Sequence, residues 1–129
     1  MKSYLDVKDA RESKDLRDYS GPAALVRKQL ANGQRSKKLF FHLAETFNAL
    51  GDSSRIQIVW ALSHGELCVG DVAELLGMSQ PAVSHHLRTL RNLRLVRVRR
   101  EGRTSFYCLD DLHINHLLKE GIEHVEDFL

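Results

Sequence analysis

The chain is short of cysteine, of long apolar runs and of any recognisable catalytic motif, and each shortage removes a class of function. Two cysteines in 129 residues, Cys68 and Cys108, are too few for a disulfide framework. That usage fits a reducing cytosol and leaves either thiol open to a redox or metal role. No apolar run approaches the roughly 20 residues that cross a bilayer. The opening stretch MKSYLDVKDARESKDLRDYS interleaves Lys and Arg with Asp and Glu and has no apolar segment, so no secretory signal is expected. There is no H-E-x-x-H, no cluster of three ligands beside a separate general base, and no activated nucleophile pair. A metallohydrolase is thereby excluded, and nothing marks a pocket for a small organic substrate. The expectation is a cytoplasmic, non-enzymatic protein with no membrane partner. Its length fits one domain with a core of marginal size, for which oligomerisation is a natural way to bury more surface.

Charge is present but unevenly placed. The formal net charge is +2, yet Arg88, Arg91, Arg94, Arg97, Arg99, Arg100 and Arg103 fall in one short stretch. Such a cluster suits a polyanion, although a basic run can equally be a solvated face. The surrounding elements have to decide.

Residues 1–34 read as a partly flexible arm, polar and charge-mixed at first, with a short helix over 22–32 that starts at Ser20-Gly21-Pro22. That helix should end at Gly33 in the left-handed position. Residues 35–129 read as the folded domain. In KKLFFHLAETFNALGD, Leu39, Leu43, Phe47 and Leu50 recur at helical spacing beside Phe40 and Ala44, a wide stripe for a core or an interface. Asp52 or Ser53 can cap the next helix, SRIQIVWALSHG, whose Ile56, Val59, Trp60 and Leu62 are expected to point inward.

The segment VGDVAELLGMSQPAVSHHLRTLRNLRLV carries most of the functional signal. Gly77 breaks a short helix, Ser79 is placed to cap another, and Pro81 suits its first turn. Two short helices about a Gly-containing turn form the helix-turn-helix plan. The second helix should bury Val83, Leu87 and Leu90, leaving Gln80, Ser84, His85 and Arg88 outward, where they can reach base edges in a major groove. Directly after it, LVRVRREGRTSFYCL alternates apolar and basic residues and turns at Glu101-Gly102, a two-stranded β-hairpin with Arg100 and Arg103 at its tip. A hairpin after such a helix makes a wing that meets phosphate or a minor groove. The fold expected is mainly α (α+β), a winged helix-turn-helix.

These residues also carry a family resemblance. ELCVGDVAELLGMSQPAVSHHLRTLRNLRLVRVRREGRTSFYCL closely resembles the core of the ArsR/SmtB family of bacterial metal-sensing repressors, from about residue 36 to the C-terminus. The resemblance implies a homodimer built through the first and last core helices, seated on double-stranded operator DNA and released when metal binds. It assigns DNA reading to Gln80, Ser84 and His85.

The terminal stretch DDLHINHLLKEGIEHVEDFL fits that implication. His113 and His124 are eleven residues apart, so on one helix they lie within about 20° of the same face but some 16 Å apart along the axis. With Zn–N bonds of about 2.0–2.1 Å, one helix cannot bring both to one ion. Two antiparallel copies can, giving two symmetric sites, each of Asp111 and His113 from one chain with His124 and Asp127 from the other. Asp111 should then stand at the N-cap, where its carboxylate can swing toward the ion. Ile114, Leu118, Ile122, Val125 and Leu129 form an apolar seam beside the ligands. Family members with a site on this helix show Asp-x-His, ten intervening residues, then His-x-x-Glu or His-x-x-His; here Asp127 takes the last place, with a shorter reach. Zinc is the first choice, with cobalt or cadmium as alternates. Relatives that sense soft metals carry Cys-x-Cys where this chain has Cys68 and Gly70, and residues 1–34 have neither Cys nor His, so a thiolate site is not expected.

Two other readings stay open. One is a thiol-responsive repressor of the same fold using Cys68 and Cys108; the other is a winged-helix protein-interaction module with no DNA role, which leaves the arginine cluster without a purpose.

Overall fold

A computed structural model describes residues 21–129; the polar arm expected over residues 1–19 lies outside the described residues. Two units divide between Ala44 and Glu45. The first holds α1 (Pro22–Asn32) and the opening turns of α2 (Lys37–Leu50). Pro22 starts α1 as expected, but Gly33 has φ −108° and not the left-handed value; its N–H returns to the Gln29 carbonyl and closes the helix without that geometry. Ser36 begins α2 by accepting from the Leu39 N–H at 3.1 Å.

The second unit contains the end of α2, then α3 (Ser53–Leu62), β1 (Leu67–Cys68), α4 (Val69–Leu76), α5 (Gln80–Asn92), β2 (Val96–Glu101), β3 (Thr104–Leu109) and α6 (Leu112–Glu126). It is a winged helix-turn-helix. Its core is the meeting of three helical stripes: Ile58 and Val59 from α3, Val72 from α4, and Val83, Leu87 and Leu90 from α5, all 0 % exposed. Leu95, Val96 and Leu118 complete it. Asp52 caps α3, its Oδ1 accepting from the Arg55 N–H at 2.9 Å.

The inward face of α3 differs from the expected one. Ile58, Val59, Ala61 and Leu62 are buried, whereas Ile56 and Trp60 are 36 % and 47 % exposed. At 100° per residue, Ile56 and Trp60 lie about 160–200° from Ile58, so a helix that buries Ile58 and Leu62 must turn those two outward. Leu75 on α4 is exposed for the same kind of reason, with Val72 and Ala73 taking the core.

The sheet also departs from expectation. It is three-stranded and antiparallel, in the order β1-β3-β2, not a two-stranded hairpin. Leu67 pairs with Tyr107 and Cys68 with Phe106. A two-residue strand has no periodicity to reveal it. The β2–β3 register pairs Glu101 with Thr104, so the turn residues are Gly102 and Arg103, one step later than Glu101-Gly102. Gly102 takes φ 61°, which a residue with a Cβ adopts only at a cost. Between α5 and β2, Arg94 has φ 58°, the one non-Gly residue of positive φ among those described. It lets the Leu95 N–H reach back to the Leu90 carbonyl at 2.9 Å and turns the chain into the wing. No helix of the described residues is long and apolar enough to cross a membrane.

Truncation at the centre of this core should be costly and truncation on its rim should not. Leu87→Ala is expected to lower unfolding free energy by about 2–5 kcal/mol in urea denaturation, whereas Leu75→Ala should change it by about 0.5 kcal/mol or less.

Candidate nucleic-acid interface and metal centre

The local sequence explains how the helix-turn-helix presents its side chains. Gly77 ends α4 in the left-handed conformation, φ 65°, and both its own N–H and that of Met78 return to the Ala73 carbonyl. Ser79 then caps α5, its Oγ accepting from the Ala82 N–H at 3.2 Å. With Val83, Leu87 and Leu90 turned into the core, Gln80, His85 and Arg88 are exposed and Ser84 is half-buried beside them. Gln80, Ser84 and Arg88 are spaced i, i+4, i+8 and so form one ridge. The structure therefore brings the four expected residues onto one outward side.

His86, which the pattern did not single out, turns inward instead. Its Nδ1 is buried and has no hydrogen-bond partner. The Asp52 carboxyl is held below its usual range chiefly by the hydrogen bond from the Arg55 N–H, with the Arg55 guanidinium adding to it.

On the wing, Arg103 lies in the turn and Arg100 pairs with Ser105 on the strand beside it. Both are exposed. Neither forms an ion pair with another described residue, and the same holds for Arg88. The other two wing arginines are engaged. Arg97 Nε donates to the Cys108 sulfur at 3.3 Å, and Arg99 is clamped by Glu66 and Glu101. The Glu66 partnership joins residues 33 apart, so no local spacing could have signalled it.

Helix α6 carries the candidate metal ligands. Asp111 occupies its N-cap, with Oδ1 accepting from the Ile114 N–H at 3.2 Å. The cap uses one carboxylate oxygen, and Oδ2 is the one that can face an ion. His113 and His124 are exposed, the His124 ring meeting Phe128 edge-on at 5.7 Å. Asp127 caps the far end, still in helical conformation and exposed. Among the described residues no three His, Cys, Asp or Glu side chains of one protomer converge on a common point. The expected apolar seam divides in two. Leu118 and Ile114 are committed to the protomer's own core, whereas Ile122, Val125 and Leu129 stay exposed. Helix α6 packs on β3, while Leu112 and Leu117 in its first half stay exposed.

His64 has a structural role: a carbonyl can only accept, so its Nδ1 bears the proton donated to the Trp60 carbonyl at 3.0 Å. The two thiols are both free and half-buried. Cys68 donates to Asp71 at 3.1 Å while Cys108 accepts from Arg97. Because Cys68 pairs with Phe106, Cys108 is two residues out of register with it. Diagonal neighbours of that kind are about 7–8 Å apart, beyond ordinary disulfide reach, so a bridge within one protomer requires the strands to shift.

Comparison with known proteins agrees with this geometry. Residues 52–98 match the family described as bacterial regulatory protein, arsR family. A transcriptional repressor SmtB homolog of Synechocystis is 46 % identical over 85 residues, covering 66 % of this chain and 64 % of the relative. A cadmium resistance transcriptional regulatory protein CadC homolog of Staphylococcus aureus is 43 % identical over 83 residues, covering 64 % and 69 %. The chain thus spans about two thirds of the length of these curated relatives. Among solved structures, a homodimeric winged helix-turn-helix DNA-binding domain from Mycobacterium bovis superposes with a TM-score of 0.67 at 28 % identity, over 74 % of this chain and 91 % of that one.

If the wing tip touches DNA backbone, Arg103→Ala removes one phosphate contact per protomer. The log–log salt slope of duplex binding by a dimer should then shrink by about 2. An unchanged slope in anisotropy titrations would take Arg103 off the interface.

Proposed function

We propose that this chain, which belongs to the bacterial arsR family of regulatory proteins, is a metal-responsive transcriptional repressor that binds operator DNA as a homodimer and is released when divalent ions fill intersubunit sites on α6. The observation that carries the reading is the disposition of α6. Asp111 and His113 stand exposed at one end, His124 and Asp127 at the other, too far apart to meet within a chain and complementary end to end between two.

The donor set fits zinc, and cobalt or cadmium can use the same atoms. Asp111 and His113 of one protomer with His124 and Asp127 of the other would hold a zinc ion there, which would link the two protomers. The chain's own part is to hold the ligands ready. Asp111 is anchored by its cap bond, the two imidazoles reach out from the helix surface, and Asp127 offers a carboxylate with a shorter reach than the Glu or His of the resembled pattern. Dimerisation is supported by the exposed apolar side chains of both helices concerned: Leu39, Phe40, Leu43 and Phe47 on α2, and Ile122 and Val125 on α6. The homodimeric Mycobacterium bovis neighbour supports it independently.

In this mechanism filling the α6 sites favours a dimer geometry in which the two α5 helices no longer match successive major grooves. Thermodynamic linkage then requires DNA to weaken metal binding by the same factor that metal weakens DNA binding.

The test uses a duplex selected by the protein itself from a random pool. Zinc should weaken wild-type binding by roughly 5–150-fold in anisotropy titrations, and saturating duplex should weaken zinc binding equally. His124→Ala should bind the duplex normally and lose the zinc response. A wild type indifferent to zinc would sink the sensor reading. If instead the response vanished in the Cys68→Ser, Cys108→Ser double variant while His124→Ala kept it, the thiol mechanism would replace the metal one.

A further inference from the structure

Seven arginines lie between Arg88 and Arg103, and Arg99 stands apart from the rest in what surrounds it. Its Nε and Nη2 donate to the two carboxylate oxygens of Glu66 at 3.2 and 3.0 Å. Its Nη1 donates to Glu101 at 2.8 Å. Its guanidinium carbon lies 5.0 Å from the ring centroid of Phe106, the residue opposite it in the β2–β3 register. One cation between two carboxylates leaves a local charge of −1, which repels phosphate. The remaining donors of a guanidinium already gripped on three nitrogens are poorly placed to reach a backbone oxygen.

The position in the sheet shows what the clamp can do. Cys68 pairs with Phe106, and Phe106 pairs with Arg99, so this is the last rung at which three strands lie side by side. Beyond it residues 100–105 form a two-stranded ribbon, which on its own has little rigidity. Glu66 belongs to the segment between α3 and β1, on the body of the domain. A planar fork bound bidentately and stacked on a ring fixes orientation as well as distance, which an ammonium cannot do.

We infer that Arg99 is a strut and not a phosphate contact: through Glu66 it holds the wing on the helix-turn-helix body and so positions Arg100 and Arg103 for DNA. The inference rests on the DNA-binding reading above for its purpose, but the strut itself can be judged without DNA. Glu66 and Arg99 are about 40 % and 48 % exposed, so the pair contributes little to global stability and acts on orientation. The clamp holds the Glu66 carboxyl below its usual range, chiefly through the Arg99 hydrogen bond. The contact therefore persists at neutral pH and is lost only as pH falls through that lowered value.

Three variants separate a strut from a phosphate contact: Glu66→Gln, Arg99→Gln and Arg99→Lys. The measurements are thermal melting, amide hydrogen exchange of residues 99–105, and binding to a mixed-sequence 30-bp duplex (about three helical turns) across a salt series. All three should melt close to wild type and show faster exchange in the wing tip. All three should bind the duplex more weakly, by roughly five- to tenfold for a dimer with two struts, with the salt slope of the wild type. A phosphate contact gives the opposite pattern. Glu66→Gln would then tighten binding, Arg99→Lys would resemble wild type, and Arg99→Gln would lower the slope by about 2. Any of those results, or unchanged exchange at the wing tip, overturns the strut. If wild type bound no duplex at all, the proposed function would fall, and the exchange data alone would decide the strut.

Discussion

The outward chemistry of α5 depends on the inward packing of Val83, Leu87 and Leu90. These three side chains are fully buried against Ile58, Val59 and Val72, and that packing fixes the rotation of the helix about its own axis. A rotation of one residue would place His86 where Leu87 stands and carry Leu87 to the exposed place of Arg88, at a loss of about 1.5–3 kcal/mol for that side chain alone. The polar ridge of Gln80, Ser84 and Arg88 is thus held in place by hydrophobic burial. Ser79 and Gly77 set where the helix begins and where its predecessor stops, so the direction of approach is settled by caps and the orientation by the core.

That logic also explains which parts of the molecule were legible in the sequence. Helix limits set by caps and by glycine were readable for α3, α5 and α6, because Asp52, Ser79 and Asp111 act on backbone N–H groups only three residues away. The stripe of α5 was readable because one face is apolar and the other polar. The stripe of α3 was not, since IQIVWAL is apolar nearly all round and nothing local tells Ile58 from Trp60. Strand β1 escaped notice because two residues cannot display an alternation. The seam of α6 was misjudged at its first half, where Leu118 serves the protomer's own core. His113 and His124 could be placed on one helix face by arithmetic alone, whereas the Glu66–Arg99 clamp could not, because charge patterning says which residues are charged and not which of them meet across the fold.

The basic stretch is better understood as two populations. Arg97 and Arg99 face one side of the hairpin with Cys108 and Phe106, and both are engaged by the domain itself. Arg88, Arg100 and Arg103 remain to solvent. A count of arginines overstates the cationic surface, and the pairing register of the sheet corrects it. The thiols follow the same rule: each is absorbed into a local contact, Cys68 with Asp71 and Cys108 with Arg97, before any question of chemistry between them arises.

The elbow at Arg94 has a mechanical meaning. Leu95, immediately beyond it, is buried; its N–H is tied back to α5 through the Leu90 carbonyl, and its own carbonyl accepts from the Asp110 N–H at 3.0 Å, where β3 leads into α6. One residue therefore couples the reading helix, the wing and the approach to the terminal helix. The base of the wing is thereby tied to α5, and only its tip depends on the Arg99 clamp. In the proposed dimer, the coordinate that release must change is the span between the two α5 helices, set against the roughly 34 Å repeat of the duplex.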